Sequence, residues 1–298
     1  MVDLSHPLRP AILAAAKSSR MRNVLTGFRP TRKVVERFIA GESRTDALRV
    51  VAQLRAQGRA VSLDYLGEDT VEPAQADAVV AEYLALVEAL AGDDGMEVSL
   101  KLSAVGQSIS ENLAADNAFR VCTAARDAGV LVTVDAEDHT TTDSTHRIVR
   151  QLRAEFDRVG LAVQAYLHRT PDDLAIGGRI RLCKGAYREP PEVAHQRDAD
   201  VTAAYLHCLE LLMDGTAFPM VASHDPRLIA AADGYQRPFE YQMLYGIRDL
   251  EQQRLVESGR VVRTYVPYGT QWYGYFMRRL AERPSNLRFF LRSLATRT

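Results

Sequence analysis

The fold is decided by residues 130–187, which read VLVTVDAEDHTTTDSTHRIVRQLRAEFDRVGLAVQAYLHRTPDDLAIGGRIRLCKGAY. Three short apolar runs begin within this stretch, at Val130, Leu161 and Arg179. A helix-like segment at 143–158 separates the first two runs, and the gap before the third has room only for a short helix. This alternation predicts parallel strands joined by helical crossovers.

The same alternation extends in both directions along the chain. It predicts a (βα)8 TIM-like barrel of the α/β class, in which residues 1–298 form one domain and residues 1–58 are an N-terminal helical extension. A doubly wound sheet is the alternative, but no predicted strand is followed by GxGxxG. The eight predicted strands are 61–66, 97–105, 130–137, 161–167, 179–187, 219–224, 239–245 and 260–268, and two helices are predicted before them, at 34–41 and 45–57.

Composition narrows the functional classes. The chain has 298 residues, with 37 basic and 38 acidic side chains and a net charge of -1, which argues against a nucleic-acid partner recognised by bulk charge. Three cysteines without CxxC spacing indicate neither a disulfide framework nor a zinc site. Of the few lysines, Lys101 and Lys184 fall inside apolar strand-like runs, where a charge is costly unless it is paired.

Polar side chains occur at the inward positions of several predicted strands. Alternation along each strand turns Asp64, Lys101, Asp135, Gln164 and Arg181 toward the barrel interior, while their apolar neighbours face the helices. A barrel with a filled core would carry Val, Ile and Leu at these positions. The convergence of charged and amide groups therefore predicts a functional site.

The segment after the last strand adds a second set of cations. Its predicted helix places Tyr275, Arg278 and Arg279 on one face. Two neighbouring guanidinium groups suit a carboxylate or a phosphate, and Lys101 could supply a third donor. A final helix carrying the arginine pair is therefore predicted over the barrel mouth.

Several chemistries are compatible with such a site. No HxH, HExxH or GxSxG motif occurs, so the sequence predicts neither a metal centre nor a serine hydrolase. A Schiff-base aldolase using Lys101 or Lys184 is an alternative, and so is a non-catalytic carboxylate-binding protein. Because no clear nucleophile is present, redox chemistry by a bound organic cofactor is favoured.

The motifs themselves resemble those of the monofunctional bacterial proline dehydrogenases. The resemblance covers about residues 35–290, and its most specific pieces are RIRLCKGAY at 179–187 and the YxxRRLxE pattern at 275–282. It implies a (βα)8 barrel that binds FAD without a Rossmann motif and oxidises L-proline to 1-pyrroline-5-carboxylate.

Roles for individual residues follow from matching this sequence to the family's motifs. Asp135 and Arg181 resemble the catalytic residues beside the flavin ring, and Glu68 resembles the partner of Arg278 in an ion-pair gate. The residues that resemble the substrate site are Lys101, Arg278, Arg279, Tyr187, Tyr265, Tyr275 and Leu244. Those that match FAD-contacting positions are Ala136, Gln164, Lys184, Gly185, Ala186, Ser223 and His224.

The resemblance also implies partners. The family passes electrons to a membrane quinone, and a pyrroline-5-carboxylate dehydrogenase would take the product. We therefore expect a cytoplasmic protein that associates peripherally with the inner face of the membrane. No apolar run approaches the ~18–20 residues that a spanning helix needs.

Overall fold

Eight parallel strands form a closed barrel in the computed structural model, which describes the backbone of residues 35–282 and the side chains of residues 35–277. Each strand pairs with the next one in the chain, and β1 closes the barrel against β8. The predicted TIM-like barrel is confirmed. The strands are β1 (Ala60–Tyr65), β2 (Met96–Leu100), β3 (Leu131–Val134), β4 (Gly160–Gln164), β5 (Arg179–Cys183), β6 (Phe218–Ala222), β7 (Glu240–Leu244) and β8 (Val262–Tyr268).

Helices connect the strands around the outside of the barrel. Within the described residues they are α1 (Arg44–Ala56), α2 (Pro73–Ala89), α3 (Glu111–Ala128), α4 (Thr142–Glu155), α5 (Thr170–Asp173), α6 (Asp198–Asp214), α7 (Pro226–Asp233), α8 (Asp249–Glu257) and α9 (Trp272–Glu282), with 3-10 turns at His139–Thr141 and Leu174–Ile176. None of these helices is long and apolar enough to cross a membrane.

The two faces of the barrel wall differ in polarity. Outward side chains such as Val98, Leu100, Ile180 and Leu182 are fully buried against the helices and form the main apolar core. Burying apolar surface contributes about 25 cal/mol per Å², so this outer layer supplies most of the driving force for folding. Because the helices already provide that core, the barrel interior can hold charged side chains instead.

A second apolar cluster covers the mouth of the barrel. Phe38 and Ile39 pack there with Trp272 and Phe276 of α9, and the Trp272 indole donates a hydrogen bond of 2.9 Å to Glu42. This cluster anchors α9 at the C-terminal end of the strands.

One local prediction is wrong. The helix predicted over 34–41 does not extend along that segment, because residues 36–38 form a turn. The Ala40 N–H donates instead to the Pro267 carbonyl at 2.9 Å, so the chain here follows the end of β8. The other predicted N-terminal helix, at 45–57, is confirmed as α1.

Candidate active site

A cavity opens at the C-terminal ends of the strands, where the active sites of TIM barrels are found. It brings together every predicted site residue whose side chain the structure describes. The side chains of Arg278 and Arg279 lie outside the described residues, although their backbone belongs to α9. The predicted residues that line the cavity are Glu68, Lys101, Asp135, Ala136, Gln164, Arg181, Lys184, Gly185, Ala186, Tyr187, Ser223, His224, Leu244, Tyr265 and Tyr275.

Lys101 lies at the centre of a buried polar cluster immediately after β2. Its ammonium group donates three hydrogen bonds, to Asp64 Oδ1 at 2.8 Å, Asp135 Oδ2 at 3.0 Å and the Tyr265 hydroxyl at 3.1 Å. The Tyr265 hydroxyl in turn donates to Asp135 at 2.8 Å. All three N–H groups of Lys101 are engaged in this arrangement.

The charge state of Lys101 bears on the aldolase alternative. Burial alone would lower its pKa, but the carboxylates of Asp64 and Asp135 outweigh burial and hold the pKa well above the ordinary value. A Schiff-base lysine needs the opposite, because its amine must be neutral to act as a nucleophile. The surroundings of Lys101 therefore favour ion pairing over covalent catalysis.

Arg181, in β5, is held in orientation by hydrogen bonds to four side chains, the longest of them 3.4 Å to the Ser62 hydroxyl. Its Nε donates to Gln242, its Nη1 to Asp135 and its Nη2 to Glu97, the last at 2.7 Å. Its guanidinium carbon also lies 5.4 Å from the centre of the Tyr265 ring. Although burial opposes the charged form, Asp135 and Glu97 raise the pKa of Arg181 above its ordinary value, so it stays cationic.

Arg181 belongs to a chain of alternating charges inside the barrel, which we call the interior ion-pair network. It comprises four carboxylates and four cations connected by salt bridges: Asp64, Glu97, Asp135 and Glu240 with Lys101, Arg179, Arg181 and Arg263. Sequence reasoning assigned no role to Glu97, Glu240 or Arg263. Strand alternation could have found two of them. Glu97 lies at the same strand parity as Lys101, and Arg263 lies at the same parity as Tyr265.

Lys184, the second buried lysine, lies just after β5. Its ammonium donates to Asp225 at 2.9 Å and to the Thr202 hydroxyl at 3.4 Å, and it lies 3.5 Å from Asp198. Burial would raise the pKa of Asp225, but hydrogen bonds from Arg227 and Lys184 outweigh that effect and lower the pKa below its usual range. Lys184 is thus a paired cation at the cavity wall.

The backbone beside Lys184 requires glycine. Gly185 has a φ of +111°, and a Cβ placed on it would lie 2.3 Å from a ring carbon of Tyr166. The chain therefore passes close against this ring while lining the cavity.

Replacing Gly185 with alanine is expected to lower the free energy of unfolding by about 3 kcal/mol, through backbone strain and a steric clash. Gly92→Ala is the matched control, because Gly92 has a φ of +79° with nothing within 4 Å of a Cβ. The control is expected to lose only about 1–2 kcal/mol. Urea unfolding of both variants measures the difference, and equal losses would show that the Tyr166 contact is unimportant.

The rim of the cavity combines several elements. Glu68 lies in the loop after β1, where the neighbouring Asp69 N–H donates to the Ser103 hydroxyl at 3.3 Å. The His224 ring accepts a hydrogen bond of 3.0 Å from the Leu244 N–H, which ties the ends of β6 and β7 together. Tyr275 of α9 reaches the cavity, so the predicted helix over the mouth is confirmed.

Comparisons with known proteins agree with this architecture. The proline dehydrogenase family model matches residues 47–292. The chain is 38% identical to proline dehydrogenase 1 of Bacillus subtilis over 278 residues, covering 89% of this chain and 91% of that protein. It is 39% identical to the proline dehydrogenase of Deinococcus radiodurans, covering 88% and 90% of the two chains.

Among solved structures, the fold matches that of proline utilization A (PutA) from Bdellovibrio bacteriovorus inactivated by N-propargylglycine. The TM-score is 0.78 at 23% identity, and the match covers 94% of this chain and 39% of that one. The chain thus spans about two fifths of the length of that protein, and this likeness shows the fold alone. On the family model and the two curated relatives, this chain belongs to the proline dehydrogenase family.

Proposed function

We propose that this proline dehydrogenase uses FAD to oxidise the CH–NH group of L-proline, giving 1-pyrroline-5-carboxylate. The observation that carries the proposal is a cavity in which a buried lysine, a buried arginine and three tyrosines meet at the C-terminal ends of the strands. Family membership supports the activity on proline and, in general terms, a flavin cofactor. That the flavin is FAD is our proposal.

The donor set of the cavity fits a large anionic cofactor. Lys184 supplies a cation, and Gly185, which packs closely on Tyr166, presents backbone without a side chain at the cavity wall. Gln164 is held by its amide, which donates to the Glu137 carbonyl at 2.8 Å. We propose that these residues hold FAD together with Ala136, Ala186, Ser223 and His224.

When bound, the flavin would accept a hydride equivalent from the ring carbon beside the proline nitrogen. Asp135 and Arg181 would lie beside the flavin ring, and their mutual hydrogen bond keeps the guanidinium oriented. Leu244, Tyr187, Tyr265 and Tyr275 would form apolar walls that exclude water from the ring of the substrate.

Recognition of the proline carboxylate is assigned to Lys101, Arg278 and Arg279. Since Lys101 already engages its three N–H groups, binding requires one bond to be exchanged. The bond to Tyr265 is the one we expect to yield, because its acceptor is neutral and the hydroxyl keeps its bond to Asp135. Glu68 at the rim would close the site as the gate partner of Arg278.

The visible spectrum of the purified protein tests the proposal. We expect a bound-flavin spectrum that is bleached by L-proline under anaerobic conditions and is unchanged by D-proline. A colourless protein that fails to take up FAD on reconstitution would overturn the proposal. A protein trapped on Lys101 or Lys184 by borohydride with a carbonyl substrate would support the aldolase alternative instead.

Electrons leaving the reduced flavin need an acceptor, and we propose a membrane quinone. We further propose that a pyrroline-5-carboxylate dehydrogenase takes the product. Both rest on the family resemblance of the sequence. Quinone-dependent turnover with liposomes that contain a quinone, against quinone-free liposomes, tests the first.

A further inference from the structure

One buried carboxylate of the barrel has no part in the proposed reaction. Glu97 lies in β2, four residues before Lys101 and on the same inward face, and its exposed fraction is 0%. Its Oε1 accepts from Arg181 Nη2 at 2.7 Å, and its Oε2 accepts from the Thr133 hydroxyl at 2.9 Å. Burying a carboxylate this deeply costs free energy unless the charge is paired and hydrogen-bonded.

The contacts of Arg181 show what Glu97 contributes. Gln242 and Asp135 bind two edges of the guanidinium, and Glu97 binds the third. Asp135 also accepts hydrogen bonds from Lys101 and Tyr265, so its position responds to whatever binds Lys101. Glu97, held by Thr133 in the barrel wall, is the carboxylate partner of Arg181 that lies below the substrate-binding lysine.

Glu97 also balances charge. Burial would raise its pKa, but Arg263, Arg181 and Arg179 outweigh burial and lower the pKa to about 2, so the group is ionised at neutral pH. The interior ion-pair network then contains four negative and four positive groups. Neutralising Glu97, which contacts Arg181 directly, would leave the network with one uncompensated positive charge.

We infer that Glu97 is a positioning residue for Arg181, fixing the orientation of the guanidinium and offsetting its charge beside the flavin. The inference rests on the proposed function, because it gives Arg181 its place next to the cofactor. Removing the carboxylate should affect the step that Arg181 assists more than the binding of proline.

The test compares Glu97→Gln with Glu240→Gln. Both changes neutralise one carboxylate of the same network, but Glu240 binds Arg263, Arg179 and Gln242 and is one residue further from Arg181. For Glu97→Gln we expect a more positive flavin midpoint potential and a kcat lowered roughly 10–100-fold, with the KM for proline unchanged. For Glu240→Gln we expect a smaller shift in the flavin midpoint potential and little change in kcat. Both variants are expected to lose thermal stability to a similar extent.

A double-mutant cycle separates positioning from general damage. If Glu97 acts through Arg181, Glu97→Gln should lower kcat much less in the Arg181→Met background than in the wild type. The same factor in both backgrounds, or equal potential shifts in the two glutamine variants, would overturn the inference. Should Glu97→Gln fail to fold, Glu97→Asp keeps the charge, and we expect a near-wild-type potential with a lowered kcat; a potential shifted as far as that of Glu240→Gln would contradict the charge role.

Failure of the proposed function can be distinguished from failure of the inference about Glu97. A wild-type protein that binds FAD but is not reduced by proline refutes that function, while the potential measurements still test the link between Glu97 and the flavin site.

Discussion

Replacing Lys101 with methionine is expected to weaken proline binding roughly 10- to 150-fold and to lower the free energy of unfolding by about 3–5 kcal/mol. The binding loss corresponds to one charge-assisted hydrogen bond to the proposed carboxylate. The stability loss arises because Asp64 and Asp135, which bind Lys101 at 2.8 and 3.0 Å, would be left as buried carboxylates without their shared cation.

A second substitution separates the two effects. Asp64→Asn removes one of the stranded charges, so the Asp64→Asn, Lys101→Met double variant is expected to regain most of the lost stability while proline binding stays weak. Asp64→Asn alone is the control, because Lys101 then keeps its bonds to Asp135 and Tyr265. Urea unfolding and the proline KM measure the two quantities. A Lys101→Met variant with an unchanged KM would refute the assignment of Lys101 to the substrate.

Much of this site follows from the sequence because a strand fixes side-chain direction with a period of two. That rule correctly turned Asp64, Lys101 and Arg181 into the interior. There Lys101 binds Asp64 directly and is connected to Arg181 through Asp135. The same parity applied to Glu97 would have extended the prediction to the lower layer of the barrel.

Other features depend on partners that are distant in the chain. The sequence around Lys101 does not show that its three N–H groups bind Asp64, Asp135 and Tyr265, the last of which is 164 residues away. Residues 36–38 form a turn although their apolar positions have helical spacing. Phe38 and Ile39 are buried against α9, and the Ala40 N–H bonds to β8. In such places tertiary contacts override local preference, which a single sequence does not display.

The strand ends illustrate a third case. Apolar runs at 97–105 and 130–137 predicted longer strands than β2 and β3, which stop at Leu100 and Val134. Lys101 and Asp135 therefore begin the loops instead of continuing the wall. Leaving the wall at these points is what delivers both side chains to the cavity, since functional groups of TIM barrels come from the ends of strands.

The arginine pair of α9 provides the other large expected effect. Tyr275 lines the cavity, and positions 278 and 279 follow it by three and four residues on the same helix, one turn further along the same face. The helix cannot easily rotate, because Phe276 packs against Phe38 and the Trp272 indole donates a hydrogen bond to Glu42. Arg279→Met is therefore expected to raise the proline KM roughly 10- to 150-fold while FAD remains bound.

The cause of that increase can be isolated with a substrate that lacks the carboxylate. If Arg279 binds the carboxylate, Arg279→Met should leave the oxidation of pyrrolidine nearly as it is in the wild type, so the preference for proline over pyrrolidine collapses by the same factor. Arg254→Met in α8 removes an exposed arginine that pairs only with Glu251 of its own helix among the described residues, and it should change neither substrate. Equal losses with proline and pyrrolidine would mean that Arg279 shapes the site without contacting the carboxylate. Loss of FAD with proline affinity retained would instead move Arg279 from the substrate site to the cofactor site.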